Sequence, residues 1–76
     1  MIIFVKTVGT LKSLEEGTAF VSMDFPQHTS VADVIERLNL KKWEVGFILI
    51  NSVRGTSESI LQDGNQLTLI APLVGG

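Results

Sequence analysis

The chain has 76 residues, no cysteine, and six Lys and Arg against eight Asp and Glu, for a formal net charge of −2. These numbers exclude disulfide frameworks, thiolate metal sites, thiol nucleophiles and disulfide switching, and they leave one His, too few for a metal cage. Mild acidity without a basic run also argues against nucleic acid as a partner. One domain is all the length can hold. It buries only about 60% of the surface its unfolded form exposes, so it needs the dense apolar core that a 45% hydrophobic composition supplies.

The longest uncharged stretch, residues 64–76, is too short and too broken by Asn, Gln, Pro and Gly to span a bilayer. Five apolar residues lead to Lys6 with no basic segment before them, unlike a secretory signal. The expectation is a soluble cytoplasmic protein that does not enter a membrane.

Residues 2–8 (IIFVKTV) are β-branched and aromatic. Alternation puts Ile3, Val5 and Thr7 on one face and Ile2, Phe4, Lys6 and Val8 on the other, with Lys6 marking the wet side. Residues 9–17 (GTLKSLEEG) are polar and bounded by glycines, and residues 18–25 alternate again, Ala19, Val21, Met23 and Phe25 against Phe20, Ser22 and Asp24. The pattern predicts a β-hairpin with a long turn.

Pro26 stops the second strand, and Ser30 with Asp33 three residues later reads as a capping box before an apolar run. Val31, Val34, Ile35 and Leu38 follow i, i+3, i+4, i+7 spacing, which predicts a helix laying one stripe on a sheet. Asn39 suits the left-handed position that closes it. A charged connector around Trp43 leads to residues 45–50 (VGFILI), an apolar run too short for a helix that reads as a central strand. Residues 51–59 are turn-rich with room for a short edge strand. Ile60 and Leu61 are expected to re-enter the core, and Asp63-Gly64 predicts a tight turn. Residues 66–71 form the last strand, with Leu67 and Leu69 inward and Thr68 and Ile70 outward, and Pro72 ends it.

Hairpin, helix, strand, irregular turn, strand is an α+β order. A helix across one face of a mixed sheet of four to five strands, with the first and last strands paired in the middle, satisfies these stripes through short connections. That is the β-grasp, or ubiquitin-like, architecture. Residues 1–71 are expected to form the domain and residues 72–76 a flexible diglycine tail.

No enzyme constellation emerges. His28 has no nucleophile beside it and reads as a solvated loop imidazole. Glu15-Glu16 reads as a wet turn and Lys41-Lys42 as a solvated connector, with docking as the alternative for each. Gly46 reads as a bulge or close packing point, because no Gly-rich phosphate loop surrounds it. The chain's end is more distinctive. Two closing glycines arise by chance in roughly one chain in 200, and five residues from Pro72 reach about 17 Å. Without a Cβ such a backbone can thread a narrow channel, and a terminal carboxylate becomes electrophilic once adenylated by an ATP-using partner.

The segment LQDGNQLTLIAPLVGG, residues 61–76, and FILINS, residues 47–52, resemble the molybdopterin-synthase small subunit and thiamine sulfur-carrier family of ubiquitin-like proteins. The opening MIIFVKT also looks like the start of ubiquitin. The likeness spans the chain and is sharpest in the last sixteen residues. It implies that Gly76 is adenylated by an E1-like adenylyltransferase using ATP and Mg, then carries a thiocarboxylate that donates sulfur in cofactor biosynthesis. It implies that Gly75 fits the partner's channel, and that Leu73, Val74 and Pro72 match the family's positions before the diglycine.

The partners so implied are the activating enzyme, a sulfur-accepting synthase and a persulfide donor such as a cysteine desulfurase. The chain itself is then a protein substrate and not an enzyme, with no cofactor of its own. Molybdopterin precursor, thiamine thiazole, a cysteine-biosynthesis intermediate and tRNA are the acceptors left open. Three positions depart from the family: Asn51-Ser52 where Asn-Gly is common, Asn65 where an acidic residue is common, and Ala71 where a second proline often precedes Pro72.

If the helix covers one sheet face, Phe4, Phe47 or Leu49, Thr68 and Ile70 make an uncovered apolar face on the other, and such a patch usually marks docking. The mean hydropathy of +0.36 agrees with it, and with an ordinary dimer interface. Arg54 reads as a turn residue or a rim charge toward an acidic partner. Two other functions fit the same sequence: a ubiquitin-like modifier joined through Gly76 to lysines, and a β-grasp interaction module that does not use its terminus.

Overall fold

The computed structural model describes residues 1–9 and 20–72, apart from the side chain of Lys42. The elements are β1 (Ile2–Val8), β2 (Val21–Asp24), α1 (Val31–Arg37), a 3₁₀ turn (Lys42–Glu44), β3 (Phe47–Ile50), β4 (Val53–Arg54) and β5 (Gln66–Ile70). The strands form one sheet in the order β2-β1-β5-β3-β4. β1 and β5 run parallel at its centre, and every other pairing is antiparallel. Glu15-Glu16 and most of the long turn lie outside the described residues, as do Leu73, Val74, Gly75 and Gly76.

The register follows from the alternation of β1 and β5. Val5 pairs with Leu67 and Thr7 with Leu69, so both strands turn their buried residues to the same side. There Ile3, Val5, Leu67 and Leu69 join Val31, Val34, Ile35 and Leu38 of the helical segment, with Phe25, Leu40 and Leu61 completing the core. The helix is short but closed at both ends. Ser30 Oγ accepts from the Asp33 N–H at 3.2 Å, and Asp33 Oδ2 accepts from the Ser30 N–H at 3.0 Å. At the other end Asn39 takes φ 60°, its N–H donates to Glu36 O, and the Leu40 N–H donates to Ile35 O. This is the paired bonding of a Schellman motif, with Leu40 buried against the last turn.

Turn chemistry sets the rest. Gly64 adopts φ 85° between Gln62 and Asn65, whose N–H donates to Gln62 O at 3.0 Å. Asp63 Oδ1 accepts from the Ile2 N–H at 2.6 Å, which ties this turn to the start of β1. The β3–β4 hairpin places both Asn51 (φ 51°) and Ser52 (φ 68°) in the left-handed region that a two-residue primed turn demands.

Two expectations need correction. Ile60 is 57% exposed while Leu61 is buried, because neighbouring residues of an extended segment point to opposite sides. β3 is an interior strand, paired with β5 on one side and the two-residue β4 on the other, and its inner residues Ile48 and Ile50 pack on the core. Its apolar run is unbroken because its outer residues Phe47 and Leu49 are apolar as well. β2 is shorter than predicted, beginning at Val21. Thr7 Oγ1 is buried and has no hydrogen-bond partner among the described residues.

Candidate partner face and chain exit

The sheet face opposite α1 is built in rows by the strand register. Val8, Ile70 and Phe47 form one row across β1, β5 and β3. Lys6, Thr68, Leu49 and Arg54 form the next, and Phe4 with Gln66 the third. Period-two alternation therefore brings Phe4, Phe47, Leu49, Thr68 and Ile70 together on one side, with Phe47 and Leu49 both included. None of the five is buried, and Phe47 is 40% exposed. Val8 and Ile2 belong to the same face and are also exposed.

Two cations lie on this surface. The Arg54 guanidinium sits over the Phe47 ring at 4.5 Å from its centroid, and Lys6 Nζ lies 5.7 Å from the Phe20 centroid. Each long side chain covers an aromatic ring and keeps its charge near the rim of the apolar rows. The sequence alone leaves Arg54 as either a turn residue or a rim charge. The signal that it belongs here is its register opposite Leu49, which becomes visible only once the β3–β4 hairpin is drawn.

The first row borders the place where the chain leaves the sheet. Gly9 follows Val8, Gly46 precedes Phe47, and Ala71 and Pro72 follow Ile70. The Ala71 N–H donates to Val8 O at 2.8 Å, so the ladder continues one residue beyond β5, and the Gly46 N–H donates to Ile70 O at 2.7 Å. Pro72 has no N–H to extend this bonding. Three residues before Gly46, Trp43 projects from the 3₁₀ turn with 76% of its surface exposed. That turn is held by the Lys41 N–H on Glu44 Oε1 and the Glu44 N–H on Lys41 O.

The remaining candidates are apart from this surface. His28 is exposed with φ 66° in the loop before α1, and Lys41 is exposed at the other end of the helix. Among the described residues no group of three or more His, Asp or Glu is placed to hold a metal ion, and no helix is long and apolar enough to cross a membrane.

A mixed five-stranded sheet with a parallel central pair and one helix packed across one face defines a β-grasp fold of the ubiquitin-like kind. Among solved structures the chain is similar to SAMP1 from Haloferax volcanii, with 20% identity, 100% of both chains covered and a TM-score of 0.72. It is similar to Urm1 from Trypanosoma brucei, at 22% identity over 99% of this chain and 95% of that one, with a TM-score of 0.68. A chain of the protein–protein complex of subunits 1 and 2 of molybdopterin-converting factor from Helicobacter pylori matches at 22% identity over 100% of both chains, with a TM-score of 0.64. These likenesses establish the fold. No family model and no curated protein matches the sequence.

Proposed function

We propose that this protein is a sulfur carrier whose Gly76 carboxylate is activated by an E1-like adenylyltransferase and converted to a thiocarboxylate for a sulfur-accepting synthase. The observation that carries the reading is the adjacency of two features. An apolar sheet face that no described element covers runs directly to the strand end from which residues 71 and 72 lead toward Leu73, Val74, Gly75 and Gly76. A partner docked on Phe4, Phe47, Leu49, Thr68 and Ile70 would receive the following residues in its own channel. The full-length likeness to a subunit found in a protein–protein complex supports a partner of this kind.

The chemistry balances without a reactive side chain in the carrier. A Gly76 carboxylate oxygen attacks the α-phosphorus of Mg-bound ATP, and pyrophosphate leaves. The terminal sulfur of a donor persulfide then attacks the acyl carbon and expels AMP, giving an acyl disulfide. A second thiolate attacks the donor's sulfur in that disulfide, so the donor and thiol are oxidised to a disulfide and the thiocarboxylate is released with both bonding electrons. A cysteine desulfurase is the class of enzyme that supplies such a persulfide, and the cytoplasm is the compartment that keeps these thiols reduced.

Incubation with the activating enzyme, Mg-ATP and a persulfide donor, followed by intact-mass analysis, tests the proposal. The expected product has one oxygen of Gly76 exchanged for sulfur. An unchanged mass, under conditions that convert an authentic carrier, refutes it. Adducts joining Gly76 to lysines of other proteins identify a modifier instead, and full function after removal of Gly75 and Gly76 identifies an interaction module.

A further inference from the structure

The two glycines at the chain exit come from distant parts of the sequence and converge on two consecutive residues. A Cβ added to Gly9 would lie 2.6 Å from Ala71 Cβ, and Gly9 also has φ 98°. A Cβ added to Gly46 would lie 2.6 Å from Pro72 Cα and 2.9 Å from Pro72 N. The backbone of residues 70–72 is thus bonded to Val8 O on one side and to the Gly46 N–H on the other, with bare Cα atoms closing over it. The fully buried residues of this strand stop at Leu69, and Ala71 packs against the core from its margin as a partly buried residue.

We infer that Gly9 and Gly46 are positioning residues: they form a Cβ-free seat that aims residues 71 and 72 out of the sheet and so delivers Gly76 to the activating enzyme. The inference rests on the proposed carrier function. At Gly46 the obstacle is main chain, which cannot rotate aside as a side-chain tip can. Opening that contact from 2.6 Å to an ordinary 3.4 Å displaces Pro72 by 0.8 Å. Over one extended residue of about 3.4 Å, such a shift is a tilt of roughly 13°. The tail beyond Pro72 then starts from a shifted and redirected anchor, so fewer of its conformers bring the Gly76 carboxylate into the partner's channel.

The test measures pyrophosphate release with the full chain, Mg-ATP and an E1-like adenylyltransferase from the same organism. Gly46→Ala is expected to lose about tenfold or more in kcat/KM, mostly in kcat because the outer sheet rows remain available for docking. Gly64→Ala is the control. It is strained by φ 85° at the opposite end of β5, meets nothing within 4 Å, and is expected to stay within about twofold of wild type. Gly9→Ala is expected to fall like Gly46→Ala, and Gly9→Ala with Ala71→Gly to recover, because the second change removes the obstructing Cβ while the strain at residue 9 persists.

Residual dipolar couplings should change at the Ala71 amide in Gly46→Ala and hold at Leu67 and Leu69. Equal activation of Gly46→Ala and wild type, an equal loss in Gly64→Ala, or no recovery in the double variant overturns the seat alone. Absence of any activation of the wild-type chain overturns the carrier reading, and the seat's role in delivery with it.

Discussion

Ser52→Gly should stabilise the protein. In the β3–β4 hairpin both turn residues have positive φ, 51° at Asn51 and 68° at Ser52. A residue with a Cβ pays roughly 1–2 kcal/mol in the left-handed region. Asn51 offsets its share locally: Oδ1 accepts from the Gln66 N–H at 2.8 Å, and its own N–H donates to Gln66 O at 2.8 Å. Glycine at position 52 removes the steric penalty, at the cost of a more flexible unfolded chain worth about 0.4–1 kcal/mol. The net gain is roughly 0.5–1 kcal/mol, or about 3–6 °C in Tm for a domain of this size. A urea titration should show a higher midpoint with an unchanged slope. A midpoint that stays put or falls, with the slope unchanged, would refute the assignment of strain to this residue. The result would also explain why Asn-Gly is the commoner pair at this turn in the family the sequence resembles.

Three other outcomes are expected. Thr7→Val should raise stability by about 1 kcal/mol in the same titration, since it replaces an unpartnered buried hydroxyl by a methyl of similar shape. Ser30→Ala should cost about 1 kcal/mol and lower helical circular dichroism, because it removes the acceptor for the Asp33 N–H at the start of α1. Phe47→Ala with Arg54→Ala should weaken binding to the activating enzyme about tenfold or more while leaving Tm within a few degrees, and should flatten the salt dependence of the association rate in a stopped-flow experiment.

Much of the fold was legible because its determinants are local. The alternation of residues 2–8 and 66–70 is unambiguous, and the Ser30/Asp33 pair with the Val31, Val34, Ile35, Leu38 stripe defines the helix start and its buried side. The same alternation assembled the apolar sheet face in advance. What escaped depends on neighbours far away along the chain. Gly46 could be read as a close packing point, but its partner is Pro72, and Gly9 gave no sign that Ala71 would press against it. Likewise an apolar run such as residues 47–50 cannot reveal whether both sides are covered, because that depends on the sheet order and on which layer is missing. Ile60 and Leu61 are alike in chemistry, and only the extended backbone, which turns neighbours to opposite sides, separates the exposed one from the buried one.

The parallel pairing of β1 with β5 joins the first of the described strands to the last. On the ribosome, a nascent chain that has not yet exposed residues 66–70 holds its N-terminal hairpin and its β3–β4 hairpin as separate pieces, each with an unpaired edge. Only the arrival of β5 between them closes the sheet, so assembly of the sheet waits on the segment that leads to the diglycine, and a product cut short before residue 66 keeps two pieces with unpaired edges.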